Sequence, residues 1–461
     1  MATRPYGVLG RVLGHSYTPT IYRELAGLDY RRFEREPEEL EAFLKGDEWE
    51  GVNVTIPYQR AVIPHLADMS DIARRLGNVN TITRREDGTL YGDNTDYYGF
   101  KCLVESLGID VTGMRAAVFG GTGGAGATVM AVLADMDVEA ISISRHGEHT
   151  YDNLKNLAEI ELAVNCTPVG MYPNCPDSPC SLDDLPDLKA VVDIVYNPAR
   201  TGIILEAEKR GIPCTSGLLM LVAQAAQAVE RYTGKPIELA RTYDVTRRLA
   251  ATEQNVAIIG MPGCGKTRGG KALASLLDRP FVDIDQELES RLGCSCSEYI
   301  EQQGEEAFRQ QETACLADVS KRSGQVISCG GGVVTRPENY PLLHQNSAIV
   351  MIDRALSQLA THGRPITARD GIQALASARM PIYHAWADYE VASQDSPMRT
   401  ASLIRDTLPP PDRGPEAERG ADRQLFRANS GAGEQHVRDV RAGDEQHEAH
   451  RAGEHEQRGA G

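Results

Sequence analysis

Apolar positions along the chain come in short runs punctuated by glycine, asparagine and aspartate. Tyr6–Gly10, Gly51–Ile56, Ala116–Gly120, Ala140–Ser144 and Val256–Ile259 read as strands. Val129–Leu133 and Lys271–Leu277 have helical spacing, and Gly304–Arg309 opens another helix. Strands alternating with helices predict an α/β chain. At 461 residues it is too long for one core, and several domains are expected.

Two of the strands run into glycine loops. After Val256–Ile259 comes Gly260-Met261-Pro262-Gly263-Cys264-Gly265-Lys266-Thr267, a G-x-x-x-x-G-K-T pattern followed by a helix. Its glycines Gly260, Gly263 and Gly265 let backbone N–H groups turn in around phosphates, and the helix N-terminus adds partial positive charge. Lys266 would reach the β/γ-phosphates of a nucleoside triphosphate, and the Thr267 hydroxyl would ligate Mg²⁺. After Ala116–Gly120 comes Gly121-Thr122-Gly123-Gly124-Ala125-Gly126, which reads G-x-G-x-x-G and opens the Val129–Leu133 helix. Gly121, Gly123, Gly124 and Gly126 therefore form a candidate dinucleotide cradle. The next strand ends in Arg145 where an NAD enzyme carries a carboxylate; an arginine suits a 2′-phosphate, so NADP is expected.

Composition narrows the setting. A formal charge of −17 disfavours nucleic-acid binding, which needs a basic surface. No apolar span is long enough to cross a bilayer, and Met1–Tyr6 leads into a strand without a leader-like segment. The ten cysteines include no C-x-x-C pair and read as free thiols, so a cytoplasmic protein with small-molecule partners is expected, with neither nucleic acid nor membrane among them.

Polar loops fill the first hundred residues: His15–Pro19, Asn53–Gln59, Asn78–Thr81 and Gly92–Asp96. Such residues commonly cap helices or form turns, and alone they name no ligand. In order, however, HSYTP, NVTIPYQ, NVNT, GDNTD, GTGGAG, NCTPVGM (Asn165–Met171) and GLLMLVAQ (Gly217–Gln224) resemble the shikimate dehydrogenase family over residues 1–240. The resemblance implies that Ser16 and Thr18 hold the shikimate carboxylate, and that Thr55, Asn80, Asp96 and Gln224 contact its hydroxyls. Thr18 stands where the family usually has serine, which leaves quinate open as a substrate. The family's catalytic lysine, partner of the GDNTD aspartate Asp96, is replaced by Gln59. An amide can hydrogen-bond the reacting hydroxyl but cannot carry its proton. Acid–base catalysis of this kind is worth about 10²–10⁴-fold.

Further on, GMPGCGKT, Asp283-Ile284-Asp285, GEEAFR (Gly304–Arg309), CGGG (Cys329–Gly332), GRP (Gly363–Pro365) and ASARMPIY (Ala376–Tyr383) resemble shikimate kinase. Asp283 and Asp285, at i and i+2 of a strand end, are expected on one face. By resemblance Asp283 helps hold Mg²⁺, Asp285 contacts the substrate hydroxyl, and Arg309 and Arg379 clamp the carboxylate. The Gly331 backbone approaches the ring, and Arg364 stabilises the transferring phosphoryl group from a lid that looks short.

The expected organisation is a substrate domain (1–97 plus 214–240), a Rossmann-type NADP domain (98–213), a linker (241–254), a P-loop kinase domain with a parallel sheet (255–408) and a disordered tail (409–461). Two readings follow. One is a bifunctional enzyme that interconverts 3-dehydroshikimate and shikimate with NADP and phosphorylates shikimate with ATP. The other is a working kinase fused to a dehydrogenase-like binding module; Gln59 separates them. Either unit could supply a homodimer interface.

Overall fold

The structure, a computed structural model, describes residues 4–14, 17–157, 159–359 and 371–409. The expected lid arginine Arg364, the loop residues His15 and Ser16, and all but the first residue of the expected tail lie outside the described residues.

Among the described residues the strands form three sheets. The first comprises β1 (Tyr6–Gly10), β2 (Tyr30–Glu34), β3 (Gly51–Val54), β4 (Asp68–Met69), β5 (Thr81–Arg84) and β6 (Leu90–Asp93) in the order β2-β1-β3-β5-β6-β4. β1 runs parallel to β2 and β3, whereas β5 is antiparallel to both β3 and β6. The second sheet is all parallel: β7 (Arg115–Phe119), β8 (Glu139–Ile143), β9 (Leu162–Asn165), β10 (Ala190–Asp193) and β11 (Cys214–Ser216), ordered β11-β10-β9-β7-β8. The third is also parallel: β12 (Asn255–Ile259), β13 (Phe281–Asp283), β14 (Val326–Ser328), β15 (Ser347–Asp353) and β16 (Tyr389–Ala392), ordered β13-β14-β12-β15-β16. Every residue of β9, β10 and β12 is buried. Helices cover both faces of such a sheet, which is why these strands read as continuous apolar runs rather than alternating ones.

The helices Asp96–Glu105 and Leu218–Thr233 pack on one another between the first two sheets. Their approach needs Gly99, where a Cβ would stand 2.7 Å from the Met220 carbonyl. The crossing carries Asp96 and Gln224 to one cavity.

Residues 241–254, expected as a polar linker, instead lie almost wholly within the helix Leu239–Glu253. Thr242, Val245 and Leu249 recur at helical spacing and are buried, two of them in one core with Ile21, Leu25, Val222 and Val229. The apolar stripe is too sparse to stand out between the arginines, but it packs the connection instead of leaving it loose. Beyond it, the second and third sheets meet through loops. Arg200 N–H donates to the Gln345 carbonyl at 2.8 Å, its guanidinium to the His344 carbonyl at 3.1 Å, and the Tyr172 hydroxyl to the Ser320 carbonyl at 2.8 Å. Among the described residues no helix is long and apolar enough to cross a membrane, and the cysteines are free thiols.

Candidate active sites

β12 is flanked by β14 and β15, and the glycine loop leaves its carboxyl end. Gly260, Gly263 and Gly265 all adopt positive φ (139°, 85° and 106°), the conformation that glycine takes without cost. Gly265 then caps the helix Lys266–Leu277. Lys266 is nearly buried, and its Nζ donates to the Gly260 and Met261 carbonyls at 2.8 and 3.1 Å, folded over the loop it would share with phosphate. Thr267 donates to Asp283 at the end of β13, and Asp283 also accepts from the backbone of Asp285 and Gln286. Asp285 itself belongs to the helix Ile284–Leu292, not to the strand as the i, i+2 pattern suggested. Chain reversal at the cap, rather than strand pleating, brings both acids to the loop.

A cavity of about 450 Å³ opens beside the glycine loop. Gly263, Gly265, Lys266, Thr267, Asp285, Arg309, Gly331 and Arg379 all line it, so the sequence-predicted groups converge within the described residues. Arg309 is held by Glu312 at 2.7 Å and Glu305 at 3.3 Å, and Arg379 donates to the Gly331 carbonyl at 2.9 Å. The triple glycine follows from this crowding: a Cβ on Gly332 would lie 2.1 Å from the Arg309 guanidinium, and one on Gly330 would lie 2.5 Å from Glu312. Burial pushes the Asp285 carboxyl up to about 6, helped by the negative charges of Glu312 and Asp283 and opposed by Lys266 and Arg309. Sequence reasoning missed Glu312, which is fully buried; its signal was the i, i+3 spacing from Arg309. The donor set fits a nucleotide and its metal: a backbone cradle, a lysine, and a hydroxyl bonded to a carboxylate.

The second cavity, about 390 Å³, lies between the carboxyl ends of the first sheet and the second. Thr18, Thr55, Gln59, Asn80, Asp96 and Gln224 line it together; Ser16 lies outside the described residues. Asn80 is fixed by its Oδ1, which accepts from Thr95 N–H at 2.7 Å, and the Thr95 hydroxyl reaches Gln224 at 3.4 Å. Asp93, Asn94 and Thr95 are buried and hydrogen-bonded, so of the acids in the Gly92–Asp96 loop Asp96 is left to face the cavity. Its burial pushes that carboxyl up to about 6, moderated by a hydrogen bond from Asn80. Gln59 sits on the same wall. Tyr196, which sequence reasoning passed over, also lines this cavity; its signal was the apolar run of β10 ending at the carboxyl edge.

The dinucleotide loop follows β7 at the point where strand order reverses between β8 and β9. Gly123 caps the helix Gly124–Asp135, and a Cβ on Gly126 would lie 2.2 Å from the Gly120 carbonyl. A Cβ on Gly121 would lie 2.7 Å from the Oγ of Ser142 on β8. These contacts hold the helix N-terminus tight against the strand, which suits a pyrophosphate. Arg145, two residues beyond β8, is exposed. Across the crevice Asn165 accepts from Thr167 and donates to Asp193, fixing the turn after β9.

Comparison with known proteins agrees with both halves of this geometry. Residues 8–82 match the shikimate dehydrogenase substrate binding domain. Shikimate dehydrogenase (NADP(+)) of Clostridium beijerinckii is 34% identical over 246 residues, spanning 49% of this chain and 90% of its own length. The chain belongs to the shikimate dehydrogenase family. The Geobacillus kaustophilus shikimate dehydrogenase (NADP(+)) is 37% identical over 256 residues, 50% of this chain and 92% of its own. A solved chorismate mutase/shikimate 5-dehydrogenase fusion protein from Clostridium acetobutylicum superposes with a TM-score of 0.51 at 32% identity, covering 54% of this chain and 97% of that one. Residues 262–409 match shikimate kinase. The chain thus joins a shikimate dehydrogenase to a shikimate kinase domain.

Proposed function

We propose that the chain carries out two consecutive reactions on one substrate: NADP-dependent interconversion of 3-dehydroshikimate and shikimate, then ATP-dependent phosphorylation of shikimate. The observation that carries this is a pair of cavities in one chain, each presenting a carboxyl group perturbed to about 6, the first of them lined by the phosphate loop itself.

In the kinase cavity, Arg309 and Arg379 are suited to the substrate carboxylate, because a planar guanidinium meets it in two parallel bonds. Asp285, when ionised, accepts the proton of the attacking hydroxyl as that oxygen bonds to the γ-phosphorus and ADP leaves. Thr267 and Asp283 would hold Mg²⁺, which supplies charge neutralisation on the phosphates. Lys266 leaves its carbonyl partners for the phosphates. Arg364 retains its proposed part at the transferring group.

In the dehydrogenase cleft, NADPH supplies the hydride. Thr55, Asn80 and Gln224 orient the ring hydroxyls, and Ser16 with Thr18 receives the carboxylate. Asp96 takes the proton from shikimate during oxidation and returns it during reduction. Gln59 holds the reacting oxygen without exchanging a proton. That substitution supports a slow dehydrogenase, and its limit is a binding module that no longer turns over.

Steady-state assays of the full chain test the reading: shikimate with NADP⁺ in one, shikimate with ATP and Mg²⁺ in the other. Absence of phosphorylation would refute the kinase assignment. A fast dehydrogenase would refute the role given to Gln59.

A further inference from the structure

Arg32 lies in the dehydrogenase cavity wall, outside every motif that points to this function. It stands on β2 with Val8 of β1 as its register partner, and Val8 is paired in turn with Asn53 of β3. Register partners share a face of a sheet, so Arg32, Val8 and Asn53 form one row, and all three line the cavity. Tyr30, two residues earlier on that face, donates to Asn53 Oδ1 at 2.8 Å and stacks on Tyr22 with ring centroids 4.0 Å apart. Tyr22 lies midway along the helix Thr18–Ala26, so β2 is held beside that helix.

The charged residues on either side of Arg32 in sequence have partners. Arg31 pairs with Asp29, Arg35 with Glu48 and Arg11 with Glu36, while Glu34 accepts from Leu13 N–H at 2.6 Å. Arg32 makes no hydrogen bond or ion pair among the described residues. Of the described residues lining the cavity, it is the one cation, and Asp96 is the one carboxylate. With a neutral Gln59 in the same lining, an anionic substrate beside an ionised Asp96 would meet net repulsion unless a cation faced it. Arg32 restores that balance.

We propose that Arg32 is a specificity-determining anchor for the substrate carboxylate, supplying through its guanidinium the positive charge that Gln59 does not. This rests on the dehydrogenase reading of the cleft. A guanidinium without a partner among the described residues keeps its planar fork for a carboxylate, whereas the Thr18 hydroxyl offers a single neutral donor.

The test compares NADP⁺ reduction by wild-type, Arg32→Gln and Arg32→Lys full-length chains, with shikimate and with shikimate methyl ester. Loss of a charge-assisted bond predicts that Arg32→Gln raises KM for shikimate by about 10- to 100-fold. The same change should leave KM for the ester, which lacks the charge, within about threefold, kcat should move little, and Arg32→Lys should recover part of the loss. Phosphorylation by the same preparations should stay at the wild-type rate, showing that the variants are folded. Equal effects on acid and ester, or none on either, would overturn the role of Arg32 while leaving the cleft a dehydrogenase. Failure of the wild type to oxidise shikimate at all would overturn the reading of the cleft and this inference with it.

Discussion

The Thr267 hydroxyl donates to Asp283 Oδ2 at 2.8 Å, while the other oxygen of that carboxylate caps the helix Ile284–Leu292. One aspartate therefore fixes both the helix bearing Asp285 and the hydroxyl at the end of the phosphate loop. Lys266, next to it, bonds to carbonyls of its own loop. Lys266→Ala should accordingly lower phosphorylation by at least about 10²-fold, the scale of losing one preorganised electrostatic group. Thermal stability and NADP-linked turnover should stay near wild type. Unchanged phosphorylation would show that Gly260–Thr267 is not the ATP site.

Asp285 gives the kinase a pH signature. Its carboxyl sits at about 6, raised by burial and by the neighbouring Glu312 and Asp283 charges. It can accept a proton only when ionised, so kcat/KM for phosphorylation should be flat above that pH. Below it the rate should fall by about tenfold per unit. Glu312→Gln removes a like charge and should move the acid limb to lower pH. It also releases Arg309, so KM for shikimate should rise. A profile that ignores Glu312→Gln would exclude Asp285 as the proton acceptor.

Cofactor choice turns on Arg145. It stands exposed two residues beyond β8, at the strand end where an NAD enzyme carries a carboxylate and where an arginine suits a 2′-phosphate. Titration should show tighter binding of NADPH than NADH, and Arg145→Asp should narrow or reverse the gap. Equal affinities in the wild type would place the discrimination elsewhere.

Much of this architecture was legible from the chain because the relevant signals are local. β12 and β7 are apolar runs ending in glycine loops, and the positive φ at Gly260, Gly263 and Gly265 is what those glycines foretold. What escaped depended on tertiary context. Residues 241–254 look polar because only one narrow stripe of their helix is buried. Asp285 left its strand because Asp283 caps a helix. Glu312, Tyr196 and Arg32 carry no motif: each becomes notable only through what stands opposite it, a guanidinium, a cleft wall or a missing lysine. Asp93 shows the converse, a polar motif residue spent on structure through Arg231 and Ser70.

The sharpest expectation concerns Gln59. Its amide shares the cavity with Asp96, whose carboxyl is held at about 6 by burial, moderated by a hydrogen bond from Asn80. Asp96 is therefore ionised at neutral pH and can take the shikimate proton, but no lysine stands by to pass it on. Losing a positioned proton carrier costs about 10²–10⁴-fold, which is less than the whole rate advantage of an enzyme. Slow but measurable NADP⁺ reduction should result, with an acid limb near pH 6. Gln59→Lys should raise kcat/KM by at least about tenfold toward the range just given. The new ammonium would also favour the ionised carboxylate and so shift the acid limb below 6. Both effects are needed. A faster enzyme with an unmoved limb would mean that the lysine acts on substrate binding alone, and a wild type already fast and indifferent to the substitution would mean that another group carries the proton.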